Sequence, residues 1–175
     1  MERKFNPDFS GKRIWMYWPG EKACLFKENV EEGFMACELP GNREVGDLDE
    51  VMKAKGGLEV ALKEAYGAGR RIADGKKLMN EFANVMRPDD FVLARHEFDH
   101  IIGLGIVTSD YYYDETRPRF RHCRKVRWID TNVWPFVDEL KVSGKWHRVT
   151  LMEERYRKIA EQIISWICEG NELIY

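Results

Sequence analysis

The run Arg13-Ile-Trp-Met-Tyr-Trp, closed by Pro19-Gly20, constrains the fold more than any other stretch of the chain. Successive side chains of a strand point to opposite faces. Ile14, Met16 and Trp18 therefore belong to one face, and Trp15 and Tyr17 to the other. A strand with large apolar groups on both faces has to sit inside a sheet that is covered on each side. At 175 residues the chain is long enough for one domain to bury such a core without a disulfide or metal staple.

The remaining patterns supply the rest of that sheet and its cover. Gly33 to Cys37 reads as a second short strand, ended by the turn Leu39-Pro40-Gly41-Asn42. Helical spacing then takes over. Asp47 is placed to cap a helix over 48–55, and Leu58, Leu62 and Ala65 mark a second one up to Gly67. Asp74 is placed to cap a third, in which Leu78, Phe82, Val85 and Met86 share a face until Pro88 stops it. Strand patterns return at 91–94, 101–108 and 119–129, the first two meeting at the polar turn Glu97-Phe98-Asp99. Thr150 and Glu153 fit a T-x-x-E capping box for a helix ending near Cys168. Leu151, Ile159, Ile163, Trp166 and Ile167 give it an apolar stripe, and Trp128 is expected in the core as well. Strands interrupted by a helical insertion predict a small, mostly antiparallel α+β barrel flanked by helices.

Cys24, Cys37, Cys123 and Cys168 are widely spaced and form no C-x-x-C, which fits a reduced, cytoplasmic protein better than a disulfide framework. No apolar run approaches a membrane span, so no membrane partner is expected.

His96-Glu97-Phe98-Asp99-His100 matches H-E-x-x-H, whose zinc chemistry needs helical i, i+4 spacing to bring both imidazoles to one metal. The flanks here are β-rich apolar runs, so the match falls at a hairpin tip, where the imidazoles are not expected to converge. His122 and Glu115 are only nominal third ligands. A zinc metallohydrolase is therefore the lesser reading, and neither metal nor other cofactor is expected.

Charge is the stronger signal. Residues 117–127 hold six Arg and Lys (Arg117, Arg119, Arg121, Arg124, Lys125 and Arg127) and no acid. Without them the chain keeps 22 basic residues against 30 acidic ones, so a net charge of −2 conceals a localised basic stripe. Such a stripe suits phosphate contacts, or else protects an edge strand from aggregation. Just before it stands Tyr111-Tyr112-Tyr113, of which an extended backbone cannot bury all three. An exposed aromatic beside a basic strand is what stacking on a nucleobase requires.

Several strings together carry a resemblance. They are Arg13-Ile-Trp-Met-Tyr-Trp-Pro-Gly-Glu, Glu32-Gly-Phe-Met, Val45-Gly-Asp-Leu and Asn80-Glu-Phe-Ala-Asn-Val-Met-Arg-Pro-Asp-Asp. Further on come Ile102-Gly-Leu-Gly-Ile-Val-Thr-Ser-Asp-Tyr-Tyr-Tyr-Asp and His122-Cys-Arg-Lys-Val-Arg-Trp-Ile. Over residues 12–135 the chain resembles the N-terminal modules of McrB-type restriction proteins, which are similar to EVE and YTH domains of the PUA-like superfamily. The resemblance implies a recognition domain over 1–149, followed by a helix and connector over 150–175 leading to an AAA+ motor. It implies a non-catalytic module that flips a methylated base, foremost N6-methyladenine, out of double-stranded DNA into an aromatic cage. A nuclease subunit would complete the system, and a YTH-like reader of modified RNA is the alternative. The pocket residues it suggests are Trp15, Trp18, Met35, Tyr111, Tyr112 and Tyr113, with Arg95 and His96 at the mouth and the basic stripe on the phosphates. One departure stands out, since Phe34-Met35-Ala36 occupies the place where YTH domains carry a tryptophan.

Overall fold

β1 (Ile14–Tyr17) lies inside the sheet, as its two apolar faces require, and none of its residues is more than 1 % exposed. A computed structural model of the protein describes residues 5–67, 69, 71–97, 100–135 and 149–170. After β1 come α1 (Phe26–Glu32), β2 (Phe34–Cys37), α2 (Leu48–Lys53), α3 (Gly57–Tyr66) and α4 (Arg71–Asn80). A π-helical turn, Glu81–Val85, extends α4. Then follow β3 (Phe91–His96), β4 (His100–Val107), β5 (Tyr112–Tyr113), β6 (His122–Asp130), β7 (Trp134–Pro135), β8 (Val149–Leu151) and α5 (Glu154–Cys168).

The sheet runs β2-β6-β4-β3-β1-β8, with β5 added on β6 and β7 on β4. Only the β1–β3 pair is parallel among the described strands, so the expected mostly antiparallel α+β sheet with flanking helices is what forms. One face packs Trp15, Tyr17, Met35, Val92 and Val126 against α2, α3 and α4. The other face packs Ile14, Met16, Phe91, Leu93 and Leu104 against α5. The C-terminal helix is thus part of the cover of this sheet, and β8 joins it through pairs such as Met16 with Thr150.

Two glycines of β4 let the sheet accept an indole. A Cβ on Gly105 would lie 2.5 Å from Val126 and 2.9 Å from Trp128, and one on Gly103 would lie 2.5 Å from Phe26. With both absent, Trp128 lies edge-on to Phe26 at 5.4 Å between centroids, and its Nε1 donates to the Asn29 carbonyl at 2.8 Å. Trp128 is therefore packed on the core but half-buried.

Several local expectations need correction. α1 has no counterpart in the sequence patterns because Asn29 is its only buried residue, which leaves no apolar stripe to read. Asp74 does not cap α4, which begins at Arg71. Thr150 is not the N-cap residue of α5 either: it is paired in β8, and Glu153 opens the helix. The buried stripe of α5 is Tyr156, Ala160, Ile164 and Ile167, which turns Trp166 outward to 41 % exposure, edge-on to Trp134. The strand expected from residue 119 begins at His122. No described helix is long and apolar enough to cross a membrane.

Candidate nucleic-acid interface

The expected pocket residues fall into four places. Trp15 and Met35 are completely enclosed in the core, and the Trp15 indole donates to Asp90 Oδ2 at 2.8 Å. Asp90 also accepts from the backbone of Arg13 and Arg87, so the Trp15 ring is fixed at a strand start with no face left for a base. Trp18 is half-buried just beyond β1, with the Arg95 guanidinium 5.9 Å from its ring. Burial lowers the Arg95 guanidinium to about 10, which keeps it cationic, and it donates to the Glu97 carbonyl. His96 follows it at the end of β3.

Tyr111 belongs to a third place, a buried relay. The Leu48 amide donates to the Tyr111 hydroxyl at 3.1 Å, and that hydroxyl meets His122 Nδ1 at 3.0 Å. His122 Nε2 lies 2.9 Å from Glu44 Oε1, which also accepts from the amides of Val45 and Gly46. Both ring nitrogens of His122 thus have a hydrogen-bond partner, Tyr111 at Nδ1 and Glu44 at Nε2. The relay ties the loop before α2 to β6 and holds the Tyr111 hydroxyl inside the fold. Tyr113 stands half-buried beside it, its ring 5.4 Å from His122.

Desolvation pushes the Glu44 carboxyl up, but the hydrogen bonds from His122, Val45 and Gly46 outweigh it and hold the group below the ordinary range. A carboxyl depressed by folding contributes stability that is full above its unfolded pKa of about 4.3 and is lost as pH falls through the folded value. Glu28, held down chiefly by its hydrogen bond from Arg117, adds to the same acid limb. Glu44→Gln should flatten, without abolishing, the decline in urea midpoint between about pH 5 and pH 3. An unchanged pH profile in the variant would remove Glu44 from this role.

The fourth place is the outer face of β2, β5 and β6. Alternation along β6 sends His122, Arg124 and Val126 inward and leaves Cys123, Lys125 and Arg127 on the outside. Register sets Tyr112 opposite Cys123 and Phe34 opposite Lys125. The half-exposed Tyr112 ring has the Lys125 ammonium 5.7 Å from its centroid, and Arg127 is exposed two residues along the same face. Beneath lies a small apolar cluster of Leu25, Phe34, Ala36, Phe120 and Cys123. Desolvation pushes the Tyr112 hydroxyl up to about 12, so this ring stays neutral beside the two cations.

The basic stripe does not act as one unit. Arg117 makes a two-pronged ion pair with Glu28 at 2.6 and 3.0 Å and lies over the Phe34 ring. Arg119 pairs with the buried Glu38 and reaches Asn42 at 2.6 Å. Arg121 is half-buried, its Nε donating to the Arg117 carbonyl at 2.7 Å. Arg124 is 1 % exposed and donates only inward. The expectation of six phosphate-contacting cations is therefore corrected: Arg117, Arg119 and Arg121 precede β6, and of the six, Lys125 and Arg127 are the two that are exposed with no ion-pair partner among the described residues. Glu28 and Glu38, which decide this, carry no local sequence signal because they lie 89 and 81 residues from their partners.

A family model described as a domain of unknown function, DUF8426, matches residues 18–154. No curated protein matches the sequence. Among solved structures, the Mmi1 YTH domain superposes with a TM-score of 0.50 at 10 % identity, over 91 % of this chain and 79 % of that one. The YTH domain of Zygosaccharomyces rouxii MRB1, in complex with N6-methyladenosine RNA, gives 0.48 at 14 % identity over 93 % and 91 %. A crystal structure of the Mmi1 YTH domain gives 0.48 at 11 % identity over 91 % and 100 %. The first of these superpositions shows a YTH-like fold.

Proposed function

We propose that this chain, which belongs to the DUF8426 family, is a non-catalytic reader of methylated nucleic acid, and that its polymer is single-stranded RNA. The observation that carries this reading is the outer face, where the Tyr112 ring lies beside Lys125 with Arg127 next along the strand. An aromatic face flanked by cations is the chemistry that stacks an unpaired base while holding its phosphates. The YTH-like fold supports it, since YTH domains include one solved with N6-methyladenosine RNA.

Charge supports a single strand over a duplex. Extracting a base from a duplex costs a few kcal/mol, whereas a single strand offers its bases already unpaired. Stacking returns about 1–3 kcal/mol per base. With four of the six stripe cations bonded within the protein, little electrostatic affinity remains to offset extrusion. A methylated-DNA module of a McrB-type system, with its AAA+ motor and nuclease, is the second reading, and it rests on the sequence resemblance.

The test is a binding panel at one salt concentration. It compares single-stranded RNA with and without N6-methyladenosine against duplex DNA carrying N6-methyladenine, 5-methylcytosine, 5-hydroxymethylcytosine or no modification. Methylated RNA should bind tightest, by about fourfold over plain RNA if the methyl is worth about 0.8 kcal/mol. Equal affinity for methylated and plain forms in every arm would overturn the reader assignment. A preference confined to a methylated duplex would transfer it to DNA.

A further inference from the structure

The H-E-x-x-H string finds a use that its spacing on a helix would not give. β3 and β4 pair antiparallel, and the register places His96 directly opposite His100. Residues directly opposite across an antiparallel pair point to the same face, with Cβ atoms about 4.5–5.5 Å apart. Two imidazoles at that spacing can hold one ion between them at the ordinary metal–nitrogen distance of about 2.0–2.1 Å. The hairpin register therefore puts the two residues on one face of the sheet.

The surroundings suit an ion. Both histidines are half-buried, at the ends of strands that are themselves held in the sheet. Arg95 is the neighbouring cation, but adjacent residues of a strand face opposite ways, and its guanidinium lies over Trp18 and donates to the Glu97 carbonyl. Its charge is therefore directed away from the imidazole pair. Among the described residues no group of three or more His, Cys, Asp or Glu converges, so the site is argued from these two imidazoles alone.

We propose that His96 and His100 form a two-imidazole, cross-strand site for a divalent transition-metal ion. Imidazole ligands select borderline ions over Mg²⁺ and Ca²⁺, and the usual order of affinities puts Cu²⁺ ahead of Ni²⁺ and Zn²⁺. An ion held there ties β3 to β4 at the end next to Trp18 and Arg95, and it stabilises the folded chain because the unfolded chain does not present the pair.

Titration of the full chain with CuCl₂, NiCl₂ and MgCl₂, followed by calorimetry and by copper absorption, tests the site. One Cu²⁺ per chain should bind, more tightly than Ni²⁺, with no Mg²⁺ bound and a rise in melting temperature on copper addition. His96→Ala and His100→Ala should each weaken copper binding at least tenfold. If an alanine variant loses its far-UV circular dichroism, the more conservative His96→Gln or His100→Gln replaces it with the same expected loss. Absence of copper binding by the wild type, or binding unaffected in both hairpin variants, would overturn the proposal.

Discussion

Arg124→Ala should destabilise the protein by about 3–5 kcal/mol, the cost of breaking a buried, charge-assisted network. All three guanidinium nitrogens of Arg124 are spent on backbone. Nε donates to the Phe82 carbonyl at 2.7 Å, Nη1 to Ser109 at 2.9 Å and Nη2 to Ala83 at 2.9 Å. Two of these acceptors belong to the π-helical turn after α4, where carbonyls fall outside regular α-helical pairing. Burial lowers the Arg124 pKa, and the guanidinium lies 5.9 Å from the Phe82 ring. Removing it leaves three carbonyls short of a partner and opens a cavity between the insertion and the sheet. Arg124→Met should recover the packing but not the hydrogen bonds, and so fall between alanine and wild type. The check is a urea midpoint at unchanged m-value. A loss under about 1 kcal/mol would mean that water reaches those carbonyls.

Arg124 also marks what a sequence can and cannot disclose. β1 was legible because two apolar faces admit only one position in a sheet. The helices of the insertion were legible because Leu58, Leu62, Leu78 and Phe82 recur at helical spacing and are all buried. Where one segment could serve two elements, local pattern misled. Thr150 fits a cap, yet the open edge of β1 needs a partner strand, and backbone pairing took that residue. A shift of the α5 stripe by one position buries Ile164 fully, leaves Ile163 packed at the margin of the core and turns Trp166 outward. The basic stripe was legible as a charge count but not as a surface. Whether an arginine faces a phosphate or a glutamate depends on Glu28 and Glu38, which approach only after the chain has folded. The tyrosine triplet divided along the same lines, with Tyr111 drawn into the His122–Glu44 relay and Tyr112 left on the outer face.

That division fixes the second large effect. Each phosphate neutralised on a single strand contributes about −0.7 to the slope of log affinity against log salt. Six contacts from an intact stripe would give a slope near −4, whereas Lys125 and Arg127 alone give about −1.4. The double variant Lys125→Ala/Arg127→Ala should therefore remove about 1.4 from the slope and weaken RNA binding about 25-fold at 0.1 M salt. Arg117→Ala and Arg119→Ala should act on another quantity. Their charges are already matched by Glu28 and Glu38, so these variants lower stability while the salt slope changes little. Measuring slope and urea midpoint on the same variants separates the two roles. A slope that falls on substitution of Arg117 or Arg119 and is insensitive to Lys125 and Arg127 would mean that the ion pairs open to receive the nucleic acid. The binding surface would then lie around the turn before β6, not on the outer face beside Tyr112.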